Sequence, residues 1–134
     1  MLKYVELYGL TTLVFFAIDF VWLSVATSRI YRPFIGDLLL DKPNLPVAAA
    51  FYLLYVVGVL VLASLPGYEK SSLGDAVMRG AIFGLLAYGT YDLTNLSTLK
   101  GWAWQVSVID MVWGTVLTGT VAAVGYLFAR WLQV

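Results

Sequence analysis

Long apolar stretches separated by short polar connections make up most of the chain. Four of them have the roughly 20 residues, or more, that a helix needs to cross the hydrocarbon core of a bilayer. They cover residues 4–27, 47–65, 75–99 and 102–131. The pattern predicts an all-α integral membrane protein, built as a four-helix transmembrane bundle in one domain over residues 1–134.

The connections between these stretches also carry information. The first, residues 28–46, is the longest, and its apolar residues recur at helical spacing between prolines: Phe34, Ile35, Leu38 and Leu39. This spacing predicts a short interfacial segment of one or two helical turns in the first loop. The third connection, around Lys100, is so short that the third and fourth helices must form a tight antiparallel hairpin.

Composition agrees with a membrane protein and excludes several functions. The chain is 61% hydrophobic and 12% charged, with a mean hydropathy of +0.86. A domain of this length cannot bury so much apolar surface in water. Cysteine and histidine are absent, which removes disulfides, zinc–thiolate sites and histidine-based catalysis. The net charge of zero gives no indication of a nucleic-acid partner.

The distribution of positive charge does not orient the chain. Four spans place both termini on the same side of the membrane. The lysines and arginines then divide equally: Lys3, Lys70, Arg79 and Arg130 on the terminal side, and Arg29, Arg32, Lys42 and Lys100 on the other. The rule that positive residues accumulate on the cytoplasmic side therefore favours neither orientation.

Three aspartates lie inside the apolar stretches, where an ionisable residue suggests a functional site. Asp19 comes about eight residues before the first stretch ends, Asp92 about seven before the third ends, and Asp110 about eight after the fourth begins. With a rise of 1.5 Å per residue, all three carboxyls are expected about 10–12 Å below one membrane face. Their common depth predicts a shared pocket.

Polar and aromatic neighbours extend this predicted pocket. At spacings of three and four residues, Tyr88 and Asn95 share a helix face with Asp92, and Trp22 shares one with Asp19. Tyr52 and Tyr55 of the second stretch lie near the same level, and Arg32 begins the loop just above. The predicted binding residues are Asp19, Asp92, Asp110, Asn95, Tyr88, Trp22, Trp113, Tyr52, Tyr55 and Arg32.

The first and fourth stretches share a short motif. Residues 18–22 and 109–113 both follow the pattern I-D-x-V-W, so that a tryptophan lies three residues after each aspartate. The two helices run in opposite directions, as an inverted repeat requires. The motif suggests that both helices face a common centre.

Electrostatics limits the state of the pocket. Three carboxylates within several ångströms cannot all stay ionised in a medium of low dielectric. Shared protons, a bound cation or an arginine must compensate, and the group should titrate as a unit. No cofactor is evident. A divalent cation such as Mg²⁺ is compatible with Asp19, Asp92 and Asp110 as oxygen ligands, although their spacing matches no dense metal motif.

One block is distinctive enough to indicate a family. Residues 88–96 read Y-G-T-Y-D-L-T-N-L, and residues 108–115 read V-I-D-M-V-W-G-T. With Tyr31-Arg32 and the stretch around Asp19, the chain resembles the bacterial membrane family catalogued as domain of unknown function 2177. The resemblance implies a small multi-pass protein of the bacterial cytoplasmic (inner) membrane. It supplies no activity, substrate or catalytic residue.

The sequence leaves three functions open. The first is binding or transport of a cation or small amphipathic solute, coupled to protons, with aromatic rings holding a cationic group and a homodimer completing the pathway. The second is an intramembrane enzyme for a lipid or prenyl substrate, with the aspartates as acid and base or as Mg²⁺ ligands. The third is a structural or accessory subunit whose aspartates only bond neighbouring helices.

Overall fold

The computed structural model describes residues 1–134 as four helices without strands. The helices are α1 (Leu2–Leu38), α2 (Leu45–Glu69), α3 (Leu73–Thr98) and α4 (Trp104–Leu132). The predicted all-α class and the number of helices are confirmed.

The helix α1 is longer than the sequence pattern suggests. It is α-helical over Leu2–Ala26, widens into a π-helical turn over Thr27–Tyr31, and continues through Arg32–Ile35 and Gly36–Leu38. The widened turn precedes Pro33, which has no N–H to donate to the turn before it. The turns predicted for the first loop are present, and they follow the first helix without a break.

The helix α2 repeats this arrangement. A π-helical turn over Leu60–Ser64 interrupts its α-helical part, and Pro66 follows as the second residue after the turn, as Pro33 does in α1. Pro33 and Pro66 are therefore both accommodated by a local widening of the helix and not by its end. At the other end of α2, the side chain of Asn44 accepts a hydrogen bond from the Val47 N–H at 3.3 Å.

Helices α3 and α4 form the tight hairpin that the short connection predicts. Gly101, between them, has a φ of +79°, a left-handed conformation that suits glycine. Further along, a methyl group on Gly80 or Gly84 would collide with α4 at Thr118. Small residues thus allow the two backbones to approach closely.

The two ends of the chain meet. The Lys3 Nζ donates to the Gln133 carbonyl at 3.4 Å, and the Tyr68 hydroxyl donates to the Val134 carbonyl at 3.3 Å. The chain termini and the end of α2 therefore lie at one end of the bundle. The end of α1 and the α3–α4 turn lie at the other.

The outer surface of the bundle is apolar, as expected of a protein surrounded by lipid. Phe20 and Leu54, for example, are 74% and 69% exposed, while Phe15 and Val56 are completely buried. By length and composition, α1, α2 and α4 can each cross a membrane. The 26-residue α3 is long enough but more polar, so its assignment as a fourth span stays a prediction.

Candidate functional site

All three aspartates point into the bundle. Asp19 of α1 is 3% exposed, Asp92 of α3 is completely buried, and Asp110 of α4 is 8% exposed. Burying a charged group is costly unless it is paired or hydrogen-bonded. The partners of each carboxyl therefore indicate its role.

The two tryptophans of the repeated motif are stacked on one another. The rings of Trp22 and Trp113 lie 4.3 Å apart between centroids, with an angle of 7° between their planes. The first and fourth helices thus meet at equivalent positions of the I-D-x-V-W motif. Because the stack occupies one face of each indole, only the opposite faces could meet a cation.

Hydrogen bonds connect each of two aspartates to the tryptophan of the other motif. The Trp113 Nε1–H donates to Asp19 Oδ1 at 3.3 Å. The Trp22 Nε1–H donates to the Tyr31 hydroxyl at 3.0 Å, and that hydroxyl donates to Asp110 Oδ1 at 2.6 Å. The two motifs therefore exchange hydrogen bonds across the stack, directly in one direction and through Tyr31 in the other.

Tyr31 is a site residue that the pattern of apolar and polar positions does not reveal. It ends the π-helical turn of α1, and it is placed in the site because the helix continues beyond residue 27. The first apolar stretch ends at residue 27 and places Tyr31 in the first loop, which hides its helical position. The one signal in the sequence is that Tyr31 belongs to the segments that carry the family resemblance.

Asp92 differs from the other two aspartates. Neither of its carboxyl oxygens has a hydrogen-bond partner, although the residue is completely buried. Its carboxyl group lies beside that of Asp110, within the range at which the two interact. One proton held between the two carboxyl groups would give Asp92 a partner. A buried polar group without a partner is otherwise rare in native proteins.

The backbone next to this carboxyl is firmly held. The Ser107 hydroxyl of α4 donates to the Asp92 carbonyl at 2.9 Å, and the Trp102 Nε1–H donates to the same hydroxyl at 2.9 Å. These bonds fix α3 against α4 at the level of the site. The unpartnered carboxyl of Asp92 therefore occurs in an ordered region and not at a frayed helix end.

Three tyrosines form the wall of the site towards the middle of the bundle. The Tyr88 ring packs directly on Gly114, where a methyl group would overlap it. The Tyr55 hydroxyl shares a buried 2.8 Å hydrogen bond with Thr118 Oγ1. Tyr52 lies close to the Asp19 carboxyl. The structure thus gathers most of the predicted binding residues around the aspartates.

Two predicted residues lie further away. Arg32 is exposed and forms no ion pair, and it lines a separate cleft with Lys100. Asn95 is half-buried, about one turn beyond Asp92 and beside Tyr91. The guanidinium of Arg32 therefore does not compensate the charge of the aspartates.

The structure shows no preformed site for the predicted metal ion. No group of three or more Asp, Glu, His or Cys side chains is arranged to hold a metal ion, so the three aspartates do not form a preformed set of ligands. The prediction of a divalent cation at Asp19, Asp92 and Asp110 stays a prediction.

One comparison with known proteins gives a result. The family model described as "Predicted membrane protein (DUF2177)" matches residues 4–127. No curated protein and no solved structure matches the chain.

Proposed function

The chain belongs to the family of predicted membrane proteins DUF2177, and we propose that it binds or transports a small cation or amphipathic solute in exchange for a proton. The proton is held between Asp92 and Asp110. The solute binds beside these carboxyls, among the surrounding aromatic side chains. In this scheme α1, α2 and α4, which can cross a membrane, carry the site together with α3, which bears Asp92.

The observation that supports this proposal is the unpartnered carboxyl of Asp92. Asp19 and Asp110 each accept a hydrogen bond from an aromatic side chain, as a purely structural role requires. Asp92 accepts none. Buried carboxyls inside membrane helices commonly take part in ion pathways and proton relays. A group that must lose a proton and receive a cation needs to be free of permanent partners.

Exchange gives a simple coupling scheme. With a proton between them, Asp92 and Asp110 together carry one negative charge. Loss of the proton leaves two adjacent negative charges, which a bound cation stabilises. The proton and the cation therefore compete, and each lowers the affinity for the other by the same factor.

Native mass spectrometry tests this proposal even though the solute is unidentified. The protein is released directly from its own membranes, beside the triple variant Asp19→Asn, Asp92→Asn, Asp110→Asn. We expect a discrete additional mass on the unmodified protein that is absent from the triple variant. Asp41→Asn, which changes an exposed aspartate outside the site, serves as the matched control and should retain the mass. Bare protein in all three spectra would contradict binding of a retained solute.

An intramembrane enzyme is the second candidate. The closeness of the Asp92 and Asp110 carboxyls favours it, because one carboxyl of a pair can serve as general acid and the other as general base. A lipid or prenyl substrate would then be turned over at the site. This function predicts a changed lipid composition in cells that carry Asp92→Asn, whereas solute exchange predicts an unchanged one.

We also propose that both termini face the same side of the bacterial inner membrane. The absence of cysteine makes the test direct, since a single introduced cysteine is the only reactive thiol. Lys3→Cys and Gln133→Cys should react with a membrane-impermeant thiol reagent from the same side. Lys100→Cys should react from the opposite side.

We propose in addition that two copies of the chain form a homodimer. Crosslinking between the introduced cysteines of two copies tests this proposal.

A further inference from the structure

A cleft lined by both polar and apolar groups opens at the end of the bundle opposite the chain termini. It has a volume of about 370 Å³ and lies between the last turns of α1 and the connection from α3 to α4. Residues 32–38 form one wall, and Lys100 with Gly101 forms the other. The cleft is separate from the aspartates, and nothing in the proposed exchange of a cation uses it.

The charges in this cleft are unbalanced. Arg32 and Lys100 both line it, and neither is in an ion pair, because the two ion pairs of the protein both involve Asp75. Asp37 is the one acidic residue of the lining, and it pairs with neither basic group. Two basic side chains from separate segments of the chain therefore line one opening with their charges unpaired.

Backbone groups and apolar side chains complete the lining of the cleft. Gly36 and Gly101 contribute no side chain, which leaves room for a ligand next to the main chain. On the α1 side, Pro33, Ile35 and Leu38 add an apolar surface. A ligand with a phosphate group and an adjoining apolar part matches this division, since guanidinium and ammonium groups are the usual phosphate partners in proteins.

We propose that the cleft binds a phosphate group through Arg32 and Lys100. The phosphate belongs either to an anionic lipid headgroup or to free inorganic phosphate. Arg32 directly follows Tyr31, whose hydroxyl donates to Asp110. A phosphate held by Arg32 therefore acts on the same turn of α1 that positions a hydrogen-bond donor in the aspartate site.

Two binding measurements on the delipidated full-length protein in detergent distinguish the sources. One titrates phosphatidylglycerol, with phosphatidylcholine as the uncharged reference, and the other titrates radiolabelled inorganic phosphate. Preferential binding of phosphatidylglycerol assigns the cleft to a headgroup, and binding of inorganic phosphate alone assigns it to the free ion. Binding of neither contradicts the proposal.

Single substitutions locate the binding. Arg32→Gln and Lys100→Gln should each weaken it about fivefold, the effect of one basic residue at an anionic surface. Asp37→Asn should strengthen it, because it removes the one negative charge in the lining. Arg29→Gln and Lys42→Gln change exposed basic residues outside the cleft and should leave it unchanged. Equal weakening by the control and cleft variants would overturn the assignment.

Discussion

Trp22 and Trp113 stack with their ring centroids 4.3 Å apart, and each is the last residue of an I-D-x-V-W motif. The two motifs lie on helices that run in opposite directions. Each tryptophan donates its indole N–H towards the aspartate of the other motif, in one case through Tyr31. The stack therefore joins α1 to α4 and holds two of the three buried aspartates.

Replacing Trp113 by phenylalanine distinguishes the stabilisation that comes from the ring stacking from that of the hydrogen bond. Trp113→Phe keeps an aromatic ring against Trp22 but leaves the buried Asp19 carboxyl without its indole donor. We expect a loss of about 1–3 kcal/mol in the free energy of unfolding, measured in detergent micelles. Trp113→Leu should cost about 0.5–1.5 kcal/mol more, because it also removes the stacking.

A double-mutant cycle with Asp19→Asn checks this interpretation. If Trp113 acts on Asp19, the effects of the two substitutions are not additive, and the coupling exceeds the roughly 0.5 kcal/mol within which independent sites add. Additive effects would show that the indole N–H does not stabilise Asp19.

Removal of the Tyr31 hydroxyl should affect Asp110 in a similar way. Tyr31→Phe deletes the 2.6 Å bond to Asp110 and also leaves the Trp22 N–H without an acceptor. We expect a lower unfolding temperature in detergent, equivalent to about 1–3 kcal/mol. Tyr4→Phe, at a tyrosine with 49% exposure and no side-chain hydrogen bond, is the matched control. An equal loss in both variants would argue against a specific role of Tyr31.

The contact between Gly114 and the Tyr88 ring predicts an unusual cost for a small substitution. Gly114→Ala introduces a methyl group that overlaps the ring, so α3 and α4 must separate or Tyr88 must turn. Overpacking of this kind costs about 1–3 kcal/mol. Gly9→Ala has open space around the new methyl group and should be neutral or slightly stabilising. Similar thermal unfolding of the two variants would contradict the predicted packing.

The sequence predicts the helices and the meeting of the motifs for identifiable reasons. Apolar stretches of spanning length predict the four helices, and the repeated I-D-x-V-W pattern predicts that α1 and α4 face a common centre. Helical periodicity places Tyr88 on the face of Asp92. These features depend on local spacing, which the sequence contains directly.

Other features depend on tertiary structure. The first apolar stretch ends at residue 27, but a π-helical turn lets the helix continue and carries Tyr31 into the site. For the same reason Arg32 lies at a cleft and not beside the aspartates. The mutual stacking of Trp22 and Trp113, and the lack of partners for Asp92, follow from how three helices pack together, which residue spacing along one helix does not determine.

The proposed exchange requires that Asp92 and Asp110 hold one proton between them. Infrared difference spectroscopy of the reconstituted protein at neutral pH measures the protonated carboxyl groups directly, comparing the unmodified protein with Asp92→Asn and with the exposed control Asp41→Asn. We predict a protonated carboxyl signal that Asp92→Asn removes and Asp41→Asn preserves. A spectrum without such a signal, or a signal unchanged by Asp92→Asn, would contradict the shared proton.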